Sequence, residues 1–130
     1  MQISHRYAFG APAEVVFNTL TDPHRAHRWL PPGTVAERRG PDRIRVRPGD
    51  LAHEYEASTI SDEMRVSWYR VDVADARGDA HVRDEPAGGC SVRVQVFSAG
   101  PASEALRIRH TLDDAMRRLA GEVSDNFTAG

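Results

Sequence analysis

Asp22, His24, His27 and Trp29 fall within one stretch of eight residues, DPHRAHRW. Two histidines three apart on a helix face the same way, which is how a helix presents a pair of metal ligands. A catalytic zinc would need a third protein ligand, and the H-E-x-x-H signature is absent. Asp22 stands directly before Pro23, where a carboxylate caps a helix start. The two histidines are therefore read as surface residues, and no metal is expected. His53 and Tyr55 make a second candidate. Two apart on a strand, they share a face about 7 Å apart and can orient or exchange a proton with one ligand. Arg70 is a third, since a guanidinium can stabilise an anionic or enolate oxygen. Its inward placement requires a regular strand past Trp68, whereas Val71 and Val73 suggest a bulge that would turn it. Cys90 and Ser103 lack any recognisable nucleophile setting.

The 130 residues suit a single domain, 1–130, large enough to bury a core without disulfides or a structural metal. All 17 basic side chains are arginine, which removes every lysine-dependent chemistry. A net charge of -2, with arginines scattered among acids, argues against nucleic-acid binding. No apolar run is long enough to span a bilayer, and MQISHRYAF lacks the apolar stretch of a signal peptide. The expected location is cytoplasmic. No cofactor is expected.

These residues need elements to position them. QISHRYAF alternates, putting Ile3, His5, Tyr7 and Phe9 on one face of a strand. In GAPAEVVFNTL, Ala13, Val16, Phe17 and Leu20 follow a helical spacing after Pro12. Asp22–Pro23 begins a second, short helix that Pro31 and Pro32 end. Turn signals at 39–42, 48–50, 61–63, 75–79 and 85–89 divide the next region into six strands. Their expected spans are 34–39, 43–47, 51–60, 64–73, 79–85 and 90–98. Connections this short favour an antiparallel meander. Alternation turns Leu51, His53, Tyr55, Ala57 and Thr59 inward, together with Met64, Val66 and Trp68 and with Val92, Val94 and Val96. Finally Ala105, Ile108, Leu112, Met116, Leu119 and Val123 recur every three or four residues along one amphipathic helix. The chain is thus α+β: strand, two helices, six strands, long helix. A curved sheet with one face to cover takes that last helix as its cover.

This order resembles the helix-grip fold of the START-like, or SRPBCC, superfamily, which includes birch-pollen allergens, lipid-transfer domains and polyketide cyclases. The resemblance is carried by Ala11, Pro12, Glu14, Val15, Phe17, Thr21, Asp22, Trp29 and Pro31 in the opening, and by RVSWYRVDV in the middle strand. DEPAGGCSVRVQV, leading into the last strand, and HTLDDAMRRLAGEV, closing the chain, carry the rest. It extends over essentially the whole chain and is nearest the polyketide cyclase/dehydrase branch. It implies a cavity between sheet and C-terminal helix that takes a small hydrophobic molecule, such as a lipid or polyketide-like aromatic. Phe9, Phe17, Val66, Trp68, Ile108, Leu112 and Met116 are its expected apolar wall. His53, Tyr55 and Arg70 are its polar groups, with His5, Tyr7 and Asp84 as further polar candidates. Trp29 stands at the mouth. Two other expectations stay open: a cyclase, aromatase or dehydratase using cavity Arg, Tyr and His, and an interaction module with a vestigial cavity, working as a homodimer.

Overall fold

The computed structural model describes residues 1–47, 53–98 and 100–129. Strand β1 (Gln2–Phe9) leads to helices α1 (Ala13–Leu20) and α2 (Ala26–Trp29). Six strands follow: β2 (Val35–Gly40), β3 (Arg43–Arg47), β4 (Tyr55–Ile60), β5 (Arg65–Arg70), β6 (Val73–Asp84) and β7 (Cys90–Phe97). Helix α3 (Ala105–Ala129) closes the chain. The strands form one sheet in the order β1-β7-β6-β5-β4-β3-β2, antiparallel throughout. β2 to β7 are the expected meander, and β1 returns to lie beside β7. This is the α+β arrangement that the hydrophobic periods imply and the helix-grip fold that the resemblance implies.

Local chemistry sets the joints. The first amide of α1, at Ala13, has no partner within the helix, and Asp84 Oδ1 accepts it at 2.8 Å. Asp84, a candidate cavity group in the sequence, thus ties β6 to the start of α1. Pro32 and Gly33 occupy the centre of a turn closed by Thr34 N–H donating to Pro31 O, and Gly33 takes the positive φ of 82° that this turn requires. The glycine hairpin at 85–89 forms as expected, with Gly88 and Gly89 both at positive φ.

Three boundaries differ from the sequence reading. The second helix begins at Ala26 and not at Asp22, because residues 22–25 form a turn. There Asp22 Oδ1 accepts the His24 amide and Asp22 O accepts that of Arg25. The fourth strand begins at Tyr55, with Leu51 and the turn at 48–50 outside the described residues. The turn expected at 75–79 lies inside β6. The chain reverses earlier, at Val71 and Asp72, and β6 absorbs the excess as an irregularity between the Tyr69–Arg77 and Arg70–Val73 pairs.

The core sits at one end of the sandwich. Phe9, Val16, Phe17, Trp29, Val82, Cys90, Val92, Val94, Met116, Leu119 and Val123 are all buried in one cluster. Leu119, at 0% exposure, is the largest side chain sealed there, whereas Leu106 on the same helix is 69% exposed. Leu119→Ala should therefore cost about 2–5 kcal/mol in urea denaturation. Leu106→Ala should change stability by no more than about 0.5 kcal/mol.

Candidate functional site

Directly paired residues in antiparallel strands share a face, so the register lays out the concave side in rows. Nearest α1 stand Phe9 and Cys90, then Tyr7, Val92 and Val82. The next row is His5, Val94, Ala80, Val66 and Thr59, followed by Ile3, Val96, Gly78, Trp68, Ala57 and Ile44. Val46, Tyr55 and Arg70 lie at the far end. Packing loosens along this direction. Phe9, Cys90, Val92 and Val82 are buried, as are Val94, Ala80 and Val66; in the next row Gly78, Ala57 and Ile44 are buried but the larger Ile3, Val96 and Trp68 are half-buried; Val46, Tyr55 and Arg70 are half-buried too. The covering helix repeats the gradient. Ala115, Met116, Leu119 and Val123 are buried, while Ala105, Ile108 and Leu112, on the same stripe, are only half-buried.

Trp68 lies across this looser half. A Cβ at Gly78, its neighbour on β6, would stand 2.5 Å from Trp68 Cζ2 and 2.8 Å from the Gln95 carbonyl oxygen. Only glycine leaves room there for the indole to lie against the sheet. Ala57, on the other side of Trp68, is also small.

His53, Tyr55 and Arg70 gather at the far end of this face. Arg70 stays opposite Tyr55, hence on the face of Trp68, because the irregularity falls on β6 rather than β5. Its guanidinium forks onto Asp72, with Nε donating to Oδ1 at 2.6 Å and Nη2 to Oδ2 at 3.1 Å. His53 Nδ1 lies 3.5 Å from Asp72 Oδ2. Asp72 is the member that sequence reasoning missed, because it was taken as part of a continuing strand. The Arg70 fork holds the Asp72 carboxyl below the usual carboxylate range.

A second polar cluster joins β1 to α3. Tyr7 Oη donates to Asp113 Oδ1 at 2.7 Å, and Arg109 Nε donates to the same oxygen at 3.1 Å. Arg109 Nη2 lies 3.3 Å from His5 Nε2, and the His5 and Tyr7 rings meet edge to face at 4.6 Å. Guanidinium nitrogens only donate, so His5 Nε2 is the acceptor. Tyr7's hydrogen bond, and next Arg109's, hold Asp113 below the usual aspartate range; burial foremost, then Asp113, pushes the Tyr7 phenol above its own. Arg109 and Asp113 are four apart on α3, an ordinary helix ion pair by sequence, and only the fold brings them to His5 and Tyr7.

The other candidates fall elsewhere. Phe9, Phe17 and Met116 belong to the packed end. Trp29 is 8% exposed within that cluster, and its indole N–H has no hydrogen-bond partner among the described residues. Both His24 and His27 are exposed, and no group of three metal-ligating side chains occurs among the described residues. Burial pushes the Cys90 thiol up to about 11, so it stays protonated at neutral pH. Two open hollows occur on the surface. One, of about 530 Å³, runs from Trp29, Pro31 and Pro32 over α3 between His110 and Arg118. The other, of about 300 Å³, lies between Ser58, Ser67, Tyr69, Arg77 and Phe97 on the outer face and reaches Trp68 and Gly78. Among the described residues no helix is long and apolar enough to cross a membrane.

The Tyr7–Asp113 bond has a pH signature. A carboxyl with a lowered folded-state pKa stabilises the fold above its unfolded pKa, and that stability is lost as pH falls through the folded value. Tyr7→Phe should raise the Asp113 midpoint, read from its side-chain carboxyl resonance. It should also destabilise the protein more at pH 7 than at pH 3.

The sequence profile of the family described as polyketide cyclase/dehydrase and lipid transport matches residues 2–127. No curated protein matches the sequence significantly. Among solved structures, the ZhuI aromatase/cyclase from Streptomyces sp. R1128 is 13% identical with a TM-score of 0.77, covering 95% of this chain and 93% of that one. A START superfamily protein from Mycobacterium smegmatis is 15% identical with a TM-score of 0.71, covering 95% and 97%. The di-domain aromatase/cyclase BexL is 15% identical with a TM-score of 0.66, and this chain spans 49% of it. Identities this low speak for the fold alone, and the profile match over nearly the whole chain speaks for the family. With a seven-stranded antiparallel sheet gripping one long helix, the chain belongs to the polyketide cyclase/dehydrase and lipid transport family.

Proposed function

We propose that this protein binds a small hydrophobic molecule, a lipid or a polyketide-like aromatic, over the loosely packed half of its concave face. The observation that carries this reading is the packing gradient. Apolar side chains at one end of the sheet are sealed, and at the other Ile3, Trp68, Val96, Ile108 and Leu112 remain half-buried beside the buried Ile44 and Ala57. Solvent contact of that much apolar surface is unfavourable by about 25 cal/mol per Å², which a fitting ligand would recover. In this reading Val66, Trp68, Ile108 and Leu112 form the apolar wall. Phe9, Phe17, Trp29 and Met116 form the packed support behind it. His53, Tyr55 and Arg70 orient the polar end of the ligand at the far rim.

Binding is favoured over catalysis by the state of Arg70. A cyclase-type step would ask this guanidinium to stabilise a developing enolate. Here both of its inner donors already meet the Asp72 carboxylate, and His53 Nδ1 faces the same group. The local charge is compensated before any substrate arrives. The similarity in fold to aromatase/cyclases keeps turnover of a poly-β-ketone as the second reading.

Titration with the neutral dye N-phenyl-1-naphthylamine should give saturable fluorescence and raise the melting temperature by several degrees. At a ligand concentration 100 times Kd the linkage amounts to about 2.7 kcal/mol. Trp68→Ala should weaken binding about tenfold or more. No saturable binding by this dye, by palmitate or by a tricyclic hydroxyquinone would remove the reading. Unchanged affinity in Trp68→Ala would move the ligand off this face.

A further inference from the structure

We infer that the N-terminal half of α3 is a movable cover over the proposed binding face, and that Tyr7, His5, Arg109 and Asp113 are the latch that holds it against β1. The clause about ligand uptake rests on the binding reading above; the motion of the helix does not.

Along α3 every buried side chain lies from Ala115 onward, at Ala115, Met116, Leu119 and Val123 among the described positions. From Ala105 to Asp114 the helix has half-buried and exposed side chains only. Segments with few sealed apolar contacts open at lower free energy than the core they adjoin. The sequence from Ala105 to Ala120 holds neither glycine nor proline, so this half has no built-in kink. It should loosen from its N-terminal end toward the anchored turn at Ala115.

Beside the half-buried Leu112, which packs at the margin of the core cluster, what holds that half to the sheet is polar. Asp113 Oδ1 receives both the Tyr7 hydroxyl and Arg109 Nε, and Arg109 reaches on to His5 Nε2. All four groups are half-buried. Water can replace each hydrogen bond as the helix lifts, so release costs far less than exposing an apolar core. The latch sits on the rows of Tyr7 and His5, where the tightly packed half of the concave face gives way to the looser half. Its release would uncover Trp68 and Leu112, which lie at the margin of the core cluster, without exposing Leu119.

Hydrogen exchange tests the motion directly. In Tyr7→Phe and in Asp113→Ala, amides of residues 109–113 should exchange about tenfold faster, while those of 117–123 keep their wild-type rates. Uniform acceleration along α3, or none, would overturn the latch. A covalent tether tests its role in uptake. Cys90 is buried, so dibromobimane should react with the pair His5→Cys and Arg109→Cys alone. The tethered protein should take up N-phenyl-1-naphthylamine at least tenfold more slowly than the untethered double variant. Equal rates would overturn the gating role. If no hydrophobic probe binds the wild-type protein, the binding reading fails while the exchange data still decide the latch.

Discussion

The structure depends on one packing event: the burial of Ala115, Met116, Leu119 and Val123 against the α1 end of the sheet. α3 has 25 residues, a rod of about 37 Å. A curved sheet can meet a straight rod closely over only part of that length. The chain commits the C-terminal part. Phe9, Val92 and Val94 meet it from the sheet, and Val16, Phe17 and Trp29 from the short helices. Asp84, by holding the first amide of α1, fixes where those helices start. Everything on the other side of Ala115 inherits a looser fit.

That looseness is what makes the fold a candidate carrier. A uniformly packed interior would leave no face to offer. Here Trp68 lies against Gly78 with Ala57 as its other neighbour, and on α3 Ile108 and Leu112 are half-buried. The two polar clusters sit at different margins of this area and have the same character. In each, arginine and aspartate compensate one another and a histidine stands alongside. Neither leaves a strong uncompensated charge over the apolar face, as suits a hydrophobic ligand better than an ionic one. The outer face shows the same economy: Arg43, Arg45 and Arg47 pair across strands with Glu54 and Glu56.

Much of this was legible from residue order. β1 was read to the residue because its alternation is strict, and the existence and inward stripe of α3 were legible because the stripe repeats for some twenty positions. Pairing on a strand placed His53 and Tyr55 near one another; the side of Arg70 was left open by the competing pattern of Val71 and Val73, and the β4–β5 register sets it. Boundaries with mixed signals were not legible. DARGD looks like a turn by composition, yet it lies in β6, because the ladder with β5 and β7 outweighs local turn preference. Asp22–Pro23 looks like a helix start, but its carboxylate instead closes a turn ahead of α2.

Periodicity by itself determined the element order, the inward faces and the α+β class, since each follows from spacing within a few residues of a chain position. Only the tertiary structure decided which half of α3 is sealed, that Asp72 occupies Arg70, and that Asp113 and Arg109 meet Tyr7 and His5. Those contacts join residues up to 106 positions apart, or turn on where one reversal falls. No local pattern encodes them, because they arise only when a straight helix is laid on a curved sheet and its polar flank finds whichever side chains the edge strand happens to present.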